Sequence, residues 1–342
     1  MAPRPPLLAA LSLLLSTTTY CAPSHSQPPA IIPLSLAAQS GKPWSPDTSS
    51  SSSTPLPLLI WHGLGDNFAS PGIEEIASLA NTIHPDTLVY TISLGGDDPR
   101  ADRSATFYGN VSEQLASVCD ALAQHPVLTT APAVDALGLS QGGQFMRGYV
   151  ERCNFPPVRS LVTFGSQHNG IAQFRECEPM DWLCGAAMLL LRHSTWSNLV
   201  QSRLVPAQYF RDPADYEPYL ANSNFLADIN NERPAKNESY RANLASLANF
   251  VLYMFDKDET VIPKETSWFA EVNGSDITPL RKRPIYTEDW LGLRQLDSKG
   301  ALHFRTISGG HMDIPRQVLN DTMTEFFGPY HKTLASDAPG EL

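Results

Sequence analysis

The sequence predicts an α/β fold, with a mostly parallel central sheet, helices on both faces and an inserted, cap-like region. Three observations predict it. From residue 56 onward, short apolar runs alternate with amphipathic stretches of helix length. Between about residues 171 and 235 that rhythm stops, and it then resumes. Several of the apolar runs end in clusters of glycine and polar residues, where the chain must turn.

Taken in order, Leu56 to Trp61 reads as a buried strand that ends in His62-Gly63-Leu64-Gly65-Asp66. Thr87 to Leu94 is a second strand. Ala105 to Leu122 reads as one amphipathic helix, with Val111, Leu115, Val118 and Leu122 along a single stripe. Ala133 to Leu139 is a third strand, Gly142 to Arg152 the helix after it, and Val158 to Phe164 a fourth strand. The interval 171–235 holds a helical stretch around Asp181 to His193 and many Asn, Tyr and Pro residues, and reads as an insertion over the open end of the sheet. Tyr240 to Leu247 resumes a helix. Phe250 to Phe255 is a strand ending at Asp256-Lys257-Asp258, and His303 to Ile307 a late strand ending at Ser308-Gly309-Gly310-His311. Ile314 to Phe326 closes the domain as a helix despite Pro315, leaving residues 331–342 as a frayed tail.

The flanks and composition bound the rest. Arg4 followed by the short apolar run Leu7 to Leu15 and small residues to Ala22 reads as a signal peptide over residues 1–22, with cleavage near Cys21 or Ala22. Residues 23–55 are rich in Pro and Ser, including the run Ser49 to Ser53, and read as a flexible, propeptide-like leader, so that the folded domain spans 56–330. No later run reaches the ~18 apolar residues of a spanning helix. A net charge of −11 without a Lys/Arg-rich tract argues against nucleic-acid binding. Beyond Cys21, Cys119, Cys153, Cys177 and Cys184 form an even set suited to an oxidising compartment, with three pairings open. Their spacings lack the close pairs of a structural zinc site. Asn110, Asn237, Asn273 and Asn320 each head an N-x-S/T glycosylation triplet.

The chemistry is concentrated at Gly138-Leu139-Ser140-Gln141-Gly142, a G-x-S-x-G pattern between a strand and a helix. Such a turn exposes a serine hydroxyl, and small residues two positions to either side let strand and helix approach. The pattern is short and recurs by chance, so its strand–turn–helix context carries the weight. A structural serine in a Gly-rich turn is the bland alternative. A serine hydroxyl also needs a base, and the base an orienting acid. In the α/β-hydrolase fold the order is Ser, acid, His. His311 is the best placed base: His303 lies at the wrong end of its strand, His331 in the tail, and His168 too early. Asp256 and Asp258 are equally good acids on sequence logic, while Asp228, Asp289 and Asp297 end no core strand. The oxyanion donors fall at the backbone N–H of Gln141 and near Leu64 in the first turn. His62 reads as structural, and Asp66 as a turn or cap residue.

These residues carry a family resemblance. Leu59 to Asp66, Ser140-Gln141-Gly142-Gly143-Gln144-Phe145, Gly165-Ser166-Gln167-His168-Asn169-Gly170, Phe225 to Arg233, Asn237 to Tyr240, Trp268-Phe269 and Asp289 to Leu293 resemble the palmitoyl-protein thioesterases, lysosomal enzymes that remove fatty acyl groups from cysteines. The similarity runs from about Pro57 to about Phe327. It implies Ser140 as nucleophile, Asp258 rather than Asp256 as acid, His311 as base and the backbone of Leu64 and Gln141 as oxyanion donors. It also implies disulfides Cys119–Cys153 and Cys177–Cys184 and a glycan at Asn237. The chain departs from the family at Asp66-Asn67-Phe68-Ala69-Ser70, where adjacent cysteines are absent, at Leu64, which replaces a Met, and at Lys257-Asp258-Glu259, which lacks a glycan triplet. The Pro/Ser leader is also unlike the family.

The expected activity is therefore hydrolysis of S-palmitoyl or other long-chain acyl thioesters on proteins, without metal or organic cofactor. The chain would act in the secretory pathway, in a lysosome or vacuole or after secretion. Met188 to Leu191 could line an acyl groove or simply be a buried helix segment. A lipase or carboxylesterase acting on oxygen esters uses the same machinery. A secreted binding protein that keeps the fold without turnover is the reading from a different class.

Overall fold

Leu58-Leu59-Ile60-Trp61 shows how this sheet is made. All four residues are buried, and alternate side chains go to opposite faces: Leu59 and Trp61 join one core cluster, Leu58 and Ile60 the other. A strand buried on both faces must be apolar throughout, which is why the run lacks a polar alternation. The computed structural model describes residues 27–46, 54–173 and 195–330.

Within these residues the strands are β1 (Ala30–Pro33), β2 (Leu58–Trp61), β3 (Val89–Ser93), β4 (Val134–Leu139), β5 (Val158–Phe164), β6 (Asn249–Phe255), β7 (Glu271–Asn273), β8 (Asp276–Thr278) and β9 (Leu302–Ile307). Seven form one sheet in the order β1-β3-β2-β4-β5-β6-β9, parallel except for β1. The chain is thus an α/β-hydrolase fold with helices on both faces. Helix α2 (Pro71–Ile83) and helix Arg316–Phe326 cover one face, placing Ile73, Ile76, Leu319 and Met323 against Leu58, Val162 and Val251. Helices α4 (Val111–Ala123) and α5 (Gln141–Arg152) cover the other, with Leu115, Val118, Phe145 and Tyr149 in its core. Cys119 on α4 is bonded to Cys153, which caps α5.

Four features differ from the sequence expectation. The leader is not wholly a flexible arm. Ala30–Pro33 pairs antiparallel with β3, matching Ile31 to Ile92 and Ile32 to Thr91. A short helix α1 (Leu36–Gln39) follows, capped by Ser35, whose hydroxyl donates to Thr87 O at 2.8 Å. Trp44 then donates from its indole to Pro55 O. Average composition hid Ile31 and Ile32 between prolines, and an edge strand tolerates Pro because its outward positions need no ladder donor.

The single helix expected over 105–122 is two, α3 (Pro99–Ala105) and α4, separated at Gly109 (φ +144°). The Asn110 side chain accepts from Ser112 N and Glu113 N, so a cap starts α4 where an unbroken stripe was read. The closing helix begins at Arg316, and Pro315 is its N-cap rather than an interior residue. The β7–β8 hairpin was not foreseen; three-residue strands carry too little periodicity to read. From residue 195 to 235 there are only short helical pieces, among them Asn198–Arg203 and Tyr216–Asn222, and no strand of the main sheet. The expected helix Asp181–His193, the run Met188–Leu191, the pair Cys177–Cys184, the signal segment and the tail lie outside the described residues.

Candidate active site

β4 delivers Ser140 to the N-terminus of α5 at φ 51° and ψ −122°. Its N–H donates to Phe164 O on β5 at 2.8 Å, which fixes the turn to the neighbouring strand end. The glycines are sterically required. A Cβ on Gly138 would lie 2.2 Å from Gly143 Cα, and one on Gly142 would lie 2.2 Å from Trp61 O. Gly63, in the turn after β2, approaches Ser140 itself: its Cβ would stand 3.0 Å from Ser140 Cβ.

Three strand ends converge here. His311 Nε2 is 2.9 Å from Ser140 Oγ, and His311 Nδ1 is 2.7 Å from Asp258 Oδ2. Asp258 is oriented from behind, because its Oδ1 accepts from Thr260 N at 2.8 Å and Val261 N at 2.9 Å. This leaves Oδ2 for the imidazole and fixes the histidine tautomer with a proton on Nδ1 and a free Nε2 facing the hydroxyl. Asp256 does not face solvent alone. It accepts from Ser308 Oγ at 3.0 Å and Gly309 N at 2.9 Å, bracing the loop that presents His311.

The other sequence candidates are elsewhere. His168 is fully buried and stacked on Phe269, and burial pushes its imidazole well below its usual range. His303 pairs with Asn249 at the start of β9. His193 and His331 lie outside the described residues. Asp228 is bonded to Arg152 at 2.6 Å and to Tyr240, Asp289 to Gln295, and Asp297 to Arg281. Asp66 accepts from Asn67 N and Ser70 Oγ within its turn. His62 is buried and paired to Asp102 at 2.8 Å.

Leu64 is 37% exposed in the turn after β2, while Gln141 is buried at the start of α5. Sequence reasoning missed Tyr209, whose hydroxyl donates to Gln141 Oε1 at 2.9 Å from within the insertion, and it missed Asp102, which pairs with His62, and Thr106, whose Oγ1 accepts from Gly65 N at 2.9 Å. Only the Asp98-Pro99 helix start hinted that a helix would reach this turn. Asn237 and Asn273 are exposed, while Asn110 and Asn320 are partly buried. Among the described residues no cluster of three or more His, Cys, Asp and Glu could hold a metal. No described helix is long and apolar enough to cross a membrane.

Fold and site together define a hydrolase of the α/β class, with a serine, an aspartate and a histidine after the ends of β4, β6 and β9. The family model for palmitoyl protein thioesterase matches residues 57–311, and the chain belongs to that family. Palmitoyl-protein thioesterase 1 of Caenorhabditis elegans is 36% identical over 277 residues, covering 80% of this chain and 92% of that protein. A rat protein named lysosomal thioesterase PPT2 is 26% identical over 253 residues, covering 72% of this chain and 78% of its own. Among solved structures, Est1E of Butyrivibrio proteoclasticus with ferulic acid bound aligns at a TM-score of 0.42 and 14% identity, over 83% of this chain and 91% of that one.

Proposed function

We propose that this protein hydrolyses long-chain S-acyl thioesters on protein cysteines, with Ser140 as nucleophile, His311 as base and Asp258 as orienting acid. The observation that carries the reading is the unbroken relay from Ser140 Oγ through His311 to Asp258 at 2.9 and 2.7 Å, in a chain of this family. His311 accepts the Ser140 proton as Oγ adds to the acyl carbonyl. The backbone N–H groups of Leu64 and Gln141 bind the oxyanion. The C–S bond then breaks and the cysteine sulfur leaves, taking its proton from His311. Water, deprotonated by His311, cleaves the acyl-enzyme, releasing the fatty acid and restoring Ser140. Burial of each methylene contributes about 0.8 kcal/mol, so a palmitoyl tail supplies much of the binding.

The compartment follows from the same reading. Residues 1–22 act as the signal peptide, and the Cys119–Cys153 bond fits an oxidising lumen. Asn237 and Asn273, both exposed, carry glycans. The name of the rat relative favours the lysosome or vacuole over secretion.

The test is kcat/KM on a palmitoyl-cysteine peptide against the matched palmitoyl-serine ester, each with Ser140→Ala as control. A thioester preference that the variant abolishes is expected. A preference for the oxygen ester moves the assignment to a lipase or carboxylesterase. No Ser140-dependent turnover from folded protein leaves a binding protein with this fold.

A further inference from the structure

The two assigned oxyanion donors come from different elements, the turn 62–68 after β2 and the start of α5. The sheet pairs β2 with β4 only as far as Trp61 and Gly138; the turn runs beyond that ladder, and the Leu64 side chain is too exposed to anchor it by packing. What holds the turn is helix α3 and the residue that follows it.

Asp102, fully buried on α3, takes three donors. Its Oδ2 accepts from His62 Nε2 at 2.8 Å and Phe68 N at 2.9 Å, at the two ends of the turn. Its Oδ1 accepts from Leu94 N at 2.7 Å, just beyond β3. Thr106, one helical turn further on, accepts the Gly65 N–H on its Oγ1 at 2.9 Å and donates the same hydroxyl to Arg103 O at 2.7 Å. Arg103 Nε donates to Gly65 O at 2.8 Å. Both peptide groups of Gly65, the one it shares with Leu64 and the one it shares with Asp66, are therefore held by α3 and Thr106. The carbonyl of Thr106 also accepts from Gln141 Nε2 at 3.3 Å, so one residue reaches both donor-bearing elements. Any slip of the turn is transmitted to the nucleophile, because Gly63 packs on Ser140.

We infer that Asp102 and Thr106 are positioning residues for the oxyanion hole: through His62, Phe68 and Gly65 they set where the Leu64 N–H stands relative to Ser140 and Gln141. They touch no reacting atom. The inference rests on the assignment of Leu64 and Gln141 as oxyanion donors. Its signature is selective loss of transition-state binding.

The experiment compares Thr106→Val, Thr106→Ser and Asp102→Asn in the full chain. The readouts are kcat and KM on a palmitoyl-cysteine peptide, affinity for a palmityl trifluoromethyl ketone that forms a tetrahedral adduct, affinity for palmitate, and melting temperature. Thr106→Val is expected to lower kcat and ketone affinity together, by about ten- to a hundredfold, less than the full loss of one donor. KM, palmitate affinity and melting temperature should stay near wild type, and Thr106→Ser should restore the rate. Asp102→Asn should show the same split; should it fail to fold, the threonine pair decides. Wild-type kcat in Thr106→Val, or a fall in which palmitate affinity and melting temperature drop with the rate while ketone affinity per folded molecule is unchanged, overturns the inference and leaves the Ser140 reading standing. Turnover surviving in Ser140→Ala overturns both.

Discussion

At Ser140 the backbone occupies a left-handed region that costs a non-glycine residue on the order of 1–3 kcal/mol. The turn is over-determined by the Phe164 carbonyl and by glycines that let β2, β4 and α5 touch. This much was legible, because G-x-S-x-G after an apolar strand specifies a local conformation. The acid was not. Asp256 and Asp258 flank one residue at the end of β6, and only the path of that bend decides that Asp258 meets the imidazole while Asp256 holds the Ser308–Gly309 backbone. The role of His62 as a structural residue could be read, but not its partner, 40 residues away. Burial by itself would press the His62 imidazole down; the hydrogen bond and charge of Asp102 outweigh it, with lesser help from Gly63 and Asp66, and hold it above the ordinary 6.5. A raised value in the folded state stabilises in full below the unfolded value and fades as pH rises through the folded one. The melting-temperature gap between wild type and His62→Gln should therefore be full below the ordinary 6.5 and narrow as pH rises above it. A gap that does not change with pH, measured by calorimetry, would show that the pair is not ionised.

Among the elements, α5 departs most from what a periodicity reading expects. Every residue from Gln141 to Glu151 is buried, polar ones included. Arg147 bonds Glu151, Ile229 O, His168 O and Asn230 Oδ1, and Asp228 reaches Arg152. The segment Phe225 to Arg233, which marks the family without containing a catalytic motif, is thus the brace behind α5, the helix that Ser140 caps. A hydrophobic stripe reports one covered face, and this helix is covered on all sides. The strands of the sheet were legible because each is a short apolar run. The α3–α4 break was missed because a capped restart can preserve the stripe across it. The disulfide fixes the C-terminal end of α5 to α4 across a sequence separation of 34. Loop-closure entropy for that length is worth about 4 kcal/mol. Cys119→Ser with Cys153→Ser should lower the denaturant midpoint accordingly, without changing KM. An unchanged midpoint would mean the reduced chain is already held there by packing.

On the scale of the whole molecule, the sheet gathers Ser140, Asp258 and His311 beyond the C-terminal ends of its strands and packs a core on each of its two faces. The parallel order followed from alternating strands and helices, whereas the antiparallel strand did not, since two isoleucines inside a Pro/Ser-rich stretch give no rhythm. That strand also limits how the chain can be trimmed. A chain cut near residue 22 would keep β1, whereas one lacking everything before Thr54 would lose it. The outer N–H and C=O groups of β3 would then be bare, and bare strand edges recruit strands from other chains. The stretch that reads like a dispensable propeptide thus covers the outer edge of β3. A chain beginning at Thr54 should grow into large species in light scattering at concentrations where one beginning at Gln27 does not. If both stay the same size, some other segment caps that edge.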